Sequence, residues 1–279
     1  MSPPSVAIAG PQAARARPRR RNGAGERLWL GLAGVLALIL MLELLPRTGV
    51  VDPRFLPPFS EVFAALVDRL ATGDFWSALG STLTTWAIGL AAAMVSGIVV
   101  GIVVGTVPAL REATASTIEF LRPIPSVALI PLAVLLYGTG REATLLLVVY
   151  ASFWQVLVQV LYGVQDVDPV ARDTARSYRF SVWTQARTVI WPTALPYVVT
   201  GFRLAATVAL ILTVTGELII GTPGVGQLIQ VAQSSGAVAS MYALVVVTGL
   251  LGVIVNLATR ALERRILRWH PSVRREATS

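Results

Sequence analysis

The sequence predicts an all-α integral membrane protein of six transmembrane helices, with a structured cytoplasmic loop between the fourth and the fifth. Three observations predict it. Of the 279 residues, 54% are hydrophobic and only 14% charged, and the mean hydropathy is +0.68, too apolar for an ordinary soluble domain. The apolar residues gather in runs long enough to cross about 30 Å of hydrocarbon at about 1.5 Å per helical residue. The charges between those runs favour alternate loops, as in a chain with a fixed orientation in a bilayer.

The same composition excludes much chemistry. All 23 basic residues are arginine, the net charge is +8, there is no cysteine, and the single histidine is His270. Without lysine there is no phosphate-binding loop ending in Gly-Lys-Ser/Thr, no Schiff base and no lysine general base. Without cysteine, and with one histidine, thiolate nucleophiles, disulfides and multi-histidine metal sites are absent, so no metal or cofactor is expected on this chain. An intramembrane enzyme would need a Ser-His pair, facing aspartates or a histidine cluster within the spans, and none is there.

The elements follow in order. Residues 1–26 read as a basic, Pro/Ala/Arg-rich leader with too little apolar content to pack, hence disordered. The first anchor is 27–46, an apolar run from Leu28 to Leu45 broken only by Glu43. Leu-Leu-Pro-Arg-Thr follows it where a signal peptide would carry small residues, which favours an uncleaved anchor. In the outer loop 47–76, a helix from Ser60 places Phe63, Leu66, Val67 and Leu70 at i, i+3, i+4 and i+7, one apolar face turned to lipid or to the bundle. A five-helix core fills 77–268, with spans at Ser81–Val107, Ile124 to about Thr139, Glu142–Gly163, about Ala194–Ile220 and Met241 to about Ala261. The second of these is short and carries Pro125 and Pro131, which predicts a kink. Residues 269–279 are a cytoplasmic tail.

Arginine counting orients these spans. Arg15 to Arg27, Arg111 and Arg122, Arg172 to Arg187, and Arg260 to Arg275 put eighteen arginines on one side, against four on the other (Arg47, Arg54, Arg69 and Arg141). Both termini are therefore expected in the cytoplasm. In the span beginning at Ser81, small residues recur at every fourth position: Thr85, Gly89, Ala93, Gly97, Gly101 and Gly105. Positions i and i+4 share a helix face, so this stripe lets another helix approach closely.

The loop 165–193 carries the most information. Asp168 followed by Pro169 is a helix start, with a carboxylate at the N-cap and proline at the first helical position. Ala171, Ala175, Tyr178 and Val182 form an apolar stripe beside a basic one of Arg172, Arg176 and Arg179. Ser181 opens a second short helix bearing Trp183, Ala186 and Ile190, expected to end at Trp191-Pro192, with Pro196 close behind. Two short helices at an angle make a rigid knob. Tyr178, Phe180, Val182 and Trp183 lie outside the membrane and need a protein partner to bury them.

Asp173-Thr174-Ala175, Arg179, and Val189-Ile190-Trp191-Pro192 followed by Ala194-Leu195-Pro196 resemble the EAA loop of the membrane subunits of ABC importers. That pattern reads Glu-Ala-Ala, three residues, Gly, nine residues, Ile-x-Leu-Pro. Arg179 stands at its Gly position and Trp191 at its Leu position, so the turn between the helices is expected to differ. Leu121-Arg122-Pro123-Ile124-Pro125, Ile130-Pro131-Leu132, Tyr137-Gly138, Gly163-Val164, Val167-Asp168-Pro169, Thr200-Gly201-Phe202-Arg203, Gly216-Glu217-Leu218 and Gly224-Val225-Gly226-Gln227-Leu228-Ile229 are similar to the nitrate/sulfonate/taurine-type permeases. The similarity runs from about Asp52 to Arg268.

This resemblance implies a type I importer permease in a bacterial inner membrane. Two permease copies would form the path, two ATPase subunits holding ATP and magnesium would dock beneath, and an extracytoplasmic binding protein would deliver a small solute such as nitrate, a sulfonate or taurine. Asp173, Thr174, Ala175, Tyr178, Arg179, Trp183, Val189 and Pro192 would form the coupling surface. Glu217, about 21 residues beyond Pro196, falls near the outer end of the fifth span; it either lines the path or hydrogen-bonds to orient helices. Arg203 is a further path candidate for an anionic solute. A carrier or channel working alone also suits six spans, but leaves the apolar knob without a purpose.

Overall fold

The computed structural model describes residues 24–268; His270, most of the leader at 1–26 and the tail at 269–279 lie outside the described residues. Backbone N–H and C=O groups find no water in hydrocarbon, so crossing segments satisfy them internally as helices. In chain order these are α1 (Ala24–Arg47), α2 (Phe59–Leu70), α3 (Gly73–Thr106) and α4 (Pro108–Leu121), then a 3₁₀ turn (Ser126–Leu129) leading into α5 (Ile130–Tyr137) and α6 (Arg141–Gln165). The loop holds α7 (Pro169–Ser177), α8 (Val182–Gln185) and a π-helical turn (Ala186–Ile190), after which come α9 (Trp191–Ile220), α10 (Val225–Ser234) and α11 (Val238–Ile266). Five helical segments are long and apolar enough to cross alone, and α4 with α5, bent by 84°, makes a sixth.

The core is α3, α6 and α9, and side-chain size sets its register. A Cβ at Gly89, Gly97, Gly101 or Gly105 would meet Val148, Val156, Val160 or Val164 respectively, at Gly97 only 2.7 Å from the valine Cβ. Each partner lies 59 residues further along the chain (89 to 148, 105 to 164), so α3 and α6 run parallel and in step. The antiparallel neighbour is α9: Gly163 lies on Ala194 and Tyr197, Gly201 on Val156 and Gln159, and Gly216 on Thr144. Lipid tails are as apolar as leucine, so packing of this closeness supplies the attraction that water supplies in soluble proteins.

Parallel neighbours need a return crossing between them, and here the expected span Ile124–Thr139 is corrected. α5 has 8 residues, about 12 Å of helix, far short of the bilayer. The polar segment before it, read as a cytoplasmic loop, is the helix α4 and supplies the rest of the crossing. Pro123 and Pro125 have no N–H to continue the helical ladder, and Pro125 is extended (φ −62°, ψ 115°), so the elbow falls there.

The helix α2 divides its apolar residues between the bundle and the open face. Val62 is buried and Leu66 half-buried, whereas Phe63, Val67 and Leu70 are exposed. The cause is docking against α11, where Arg69 Nε donates to Ser240 Oγ at 2.8 Å and Tyr242 Oη donates to the Phe55 carbonyl at 3.0 Å. At the other end, Pro58 offers α2 no side-chain cap. Glu43 of α1 caps it instead, accepting from Ser60 N at 2.9 Å and Ser60 Oγ at 3.0 Å while pairing with Arg47 at 2.7 Å.

Replacing Gly97 by leucine must push α3 from α6, and the expected cost is about 1–3 kcal/mol. At Gly34 of α1 nothing lies within 4 Å of where a Cβ would stand, so Gly34→Ala is expected to be neutral. Unfolding temperatures in detergent micelles check the contrast; equal values for the two variants would contradict the packing assignment.

Candidate functional site

The knob begins where α6 ends. Asp168 caps α7, its Oδ1 accepting from Val170 N at 2.8 Å, with Pro169 at the first helical position. Arg172 bends back, donating to the Val164 carbonyl at the end of α6 at 3.2 Å. Asp173 and Arg176 form an exposed ion pair at 3.5 Å, and Thr174 Oγ1 donates to the Val170 carbonyl. The end of α7 is a Schellman motif: Phe180 N donates to the Ala175 carbonyl at 3.0 Å and Arg179 N to the Arg176 carbonyl at 2.9 Å. That geometry needs a left-handed residue, and Arg179 adopts φ 54°, the one positive φ outside glycine among the described residues. A left-handed turn of the kind that glycine favours forms here although the residue is arginine.

Two expectations for the knob change. Ala175 is 4% exposed, packed into the loop itself, so it braces the knob and does not present a docking surface. The outward apolar residues are Tyr178 (75% exposed), Val182 (87%) and Trp183 (75%), joined by Val170 and the partly exposed Phe180. Nor does the second helix end at Trp191-Pro192. Ser181 caps α8 through Thr184 N at 3.2 Å, and helical structure then continues through the π turn into α9. Pro192 has no N–H for a bond to residue 188, and its ring would strike that carbonyl in a regular α-helix. Widening the turn, with Trp191 N bonded to the Ala186 carbonyl, carries the chain past this obstacle. Val189 and Pro192 are half-buried in this rod, which runs from Val182 to Ile220 without a break.

Inside the bundle, Glu217 is 1% exposed and ties three helices together. Its Oε2 accepts from Thr82 Oγ1 at 2.9 Å and from Gly226 N at 3.0 Å, while Thr82 Oγ1 accepts from Val225 N at 2.9 Å. Any Cβ at Gly224 would overlap the carboxylate, which is why the α9–α10 turn reads Gly-Val-Gly. In this conformation Glu217 is a lock between α3, α9 and α10, the second of its two readings. Thr82, 135 residues away, was invisible as its partner in the sequence. Arg203 is likewise engaged, its Nη1 lying 3.1 Å from Glu263 Oε2 of α11.

Two of the openings among the described residues border the knob and α9. An apolar cavity of about 430 Å³ lies between α3, α6 and the π turn, lined by Ile102, Val160, Trp183, Arg187, Trp191 and Ala194. A groove of about 700 Å³ follows α9 and α11, with Thr207, Thr215, Thr248 and Asn256 on its walls.

A left-handed non-glycine residue costs about 1–2 kcal/mol. Arg179→Gly is therefore expected to stabilise the knob by about 1 kcal/mol, less the greater entropy that glycine loses on folding. Slower hydrogen exchange at the Arg179 and Phe180 amides checks it; faster exchange would mean that the arginine side chain supplies a compensating contact.

Comparison with known proteins now bears on this architecture. Residues 97–268 match the family described as binding-protein-dependent transport system inner membrane component. The chain is 34% identical to the taurine transport system permease protein TauC of Escherichia coli K12, over 86% of this chain and 90% of that one. It is 26% identical to the putative aliphatic sulfonates transport permease SsuC of Bacillus subtilis 168, over 94% of each. Against the bicarbonate transport system permease CmpB of Synechococcus elongatus identity is 29%, over 91% of this chain and 98% of that one. In fold it is similar to the inward-facing MetNI methionine ABC transporter (TM-score 0.60, 18% identity, 69% of this chain, 95% of that one). It is also similar to an amino acid ABC transporter solved with histidines (TM-score 0.58, 19% identity, 69% and 94%). With the knob, the parallel α3–α6 pair and these matches, the chain belongs to the binding-protein-dependent inner membrane components, the multi-pass permeases of type I ABC importers.

Proposed function

We propose that two copies of this chain form the path of an importer for a small solute bearing an oxyanion group, and that the knob from Asp168 to Pro192 is its coupling element. Solute arrives from an extracytoplasmic binding protein, and ATP with magnesium is hydrolysed on two separate ATPase subunits beneath the knobs. Both termini lie in the cytoplasm. Support for the solute class comes from the relatives, whose named cargoes, taurine, aliphatic sulfonates and bicarbonate, share an anionic oxygen group. The observation that carries the coupling reading is the exposure of Tyr178, Val182 and Trp183 at one end of an unbroken helical rod.

The rod supplies the mechanics. Two ATPase subunits closing on nucleotide draw the knobs together, and α7, clamped by Asp168, Arg172 and the Schellman turn, passes the motion on as a rigid piece. Helix α8 continues into α9, so a displacement at Val182 reaches the Arg203–Glu263 pair and then the Glu217 lock without crossing a loop. One bundle then rotates against its copy.

Proteoliposomes holding the chain with its ATPase and binding protein are expected to take up solute only with ATP; uptake by the chain alone, without nucleotide, would overturn the reading. Val182→Asp tests the docking face. Its side chain is free in the single chain, so insertion and folding are expected to be unchanged. An unpaired carboxylate buried on docking costs about 3–5 kcal/mol, more than a hundredfold in affinity. Co-purification of the ATPase and ATP-driven uptake should each fall at least tenfold, and wild-type values for both would remove Val182 from the interface.

A further inference from the structure

The α4–α5 elbow places a charge midway along the spanning helices, exposed in the single chain. Because α3 and α6 run in step, Thr106 lies level with Gln165, and α4 starts two residues later at that inner level. Its 14 residues rise about 21 Å. At the top, the Leu121 carbonyl accepts a 2.7 Å hydrogen bond from Tyr150 Oη. Tyr150 stands fifteen residues from the inner end of α6, about 22 Å, and three residues from that helix's midpoint. The two lengths agree, so α4 climbs about half the height of the bundle, meets α6 at its last residue, and delivers Arg122 to the middle of a hydrocarbon layer about 30 Å thick.

A guanidinium at that depth must meet water, a partner or an anion. Arg122 forms no ion pair and no side-chain hydrogen bond among the described residues, and its side chain is exposed in the single chain. Glu119, one turn earlier, is exposed and unpaired with it. Helix α4 carries Arg111, Glu112, Thr114, Thr117 and Glu119 and buries no residue in its own chain, a surface incompatible with lipid. A second donor without an acceptor lies close by. Trp154 Nε1 is buried with no partner, and its ring packs edge-on to Tyr150 at 5.9 Å between centroids. Trp154 Nε1 is closed off from any ligand, whereas the Arg122 guanidinium, exposed and without an acceptor, can be reached by one.

We propose that Arg122, at the elbow between α4 and α5, is the cationic station of the translocation path and receives the anionic group of the solute midway across the membrane. This rests on the importer reading above and adds the residue and the charge that the path offers its cargo. Arg203, tied to Glu263, is not free for that role.

The chain has no cysteine, so Arg122→Cys introduces its only thiol. The full complex in proteoliposomes is treated with 2-aminoethyl methanethiosulfonate, which adds an ammonium group, or with the 2-sulfonatoethyl reagent, which adds a sulfonate. The wild-type complex, treated identically, gives the background from thiols on the partners. Uptake is read with whichever of taurine, ethanesulfonate or bicarbonate the wild-type complex carries, and labelling of position 122 is read by mass spectrometry of the chain. The expected result is labelling by these water-borne reagents, uptake lowered at least tenfold in Arg122→Cys, and recovery with the ammonium adduct alone. Failure to label, wild-type uptake by Arg122→Cys, or equal recovery with both adducts would overturn the assignment. An equal loss in Glu119→Gln would also overturn it, assigning Arg122 to an ion pair with a carboxylate. Val182→Asp, which tests coupling at the far end of the rod, separates failure of this site from failure of the importer reading.

Discussion

The contact on which the structure depends is the approach of α3 to α6, which four missing side chains permit. At Gly89, Gly97, Gly101 and Gly105 the valines of α6 occupy the space that a Cβ would need. Between helices already out of water no hydrophobic force remains to be gained, so dispersion at this short range is what binds the pair. The stripe also dictates topology. It makes α3 and α6 parallel, and a parallel pair demands a return segment, which α4 and α5 provide. The same register sets the start of α4 level with the end of α6, where the knob begins.

Around this pair the polar groups act as ties. Glu217 bonds to Thr82 and Gly226, Arg203 pairs with Glu263, and Trp86 Nε1 donates to the Ala206 carbonyl at 2.9 Å. All three hold α9 to its neighbours. On the proposed coupling role a lever needs such fixed points, because force applied at the knob would otherwise be absorbed by sliding of α9 along α6. The π turn serves the same end: a break at Pro192 would have hinged the knob freely, while a widened helical turn keeps it continuous with the span.

Much of this was legible in the sequence, and the failures share a cause. The glycine stripe, the Asp168-Pro169 start and the Ser181 cap were readable because each depends on neighbours within four residues. Arg179 at a glycine position was readable as an irregularity, but not its outcome. Only the two hydrogen bonds of the Schellman turn show that the backbone kept its left-handed shape and left the arginine to bear the strain. Ala175 was misjudged because a periodic stripe says which residues share a face and not what that face meets. Glu217 was left between two readings, since its partner is set by tertiary packing across 135 residues.

The third span shows where hydropathy itself misleads. A window average treats a polar helix as a loop, and α4 is polar because it turns away from lipid, so the property that hid it is the one that gives it meaning. Arginine counting made the related error of assigning Arg122 to the cytoplasmic face by its place between apolar runs, while the Tyr150 hydrogen bond puts it near mid-depth. Removing Arg122 from that tally leaves seventeen arginines against four, so the orientation argument survives the loss. The positive-inside rule reads many charges at the membrane edge and tolerates a stray one. A lone cation at mid-depth is the exception that the rule averages away, and in a membrane protein the expense of placing it there makes such an exception the natural place to look for the passage of a charged cargo.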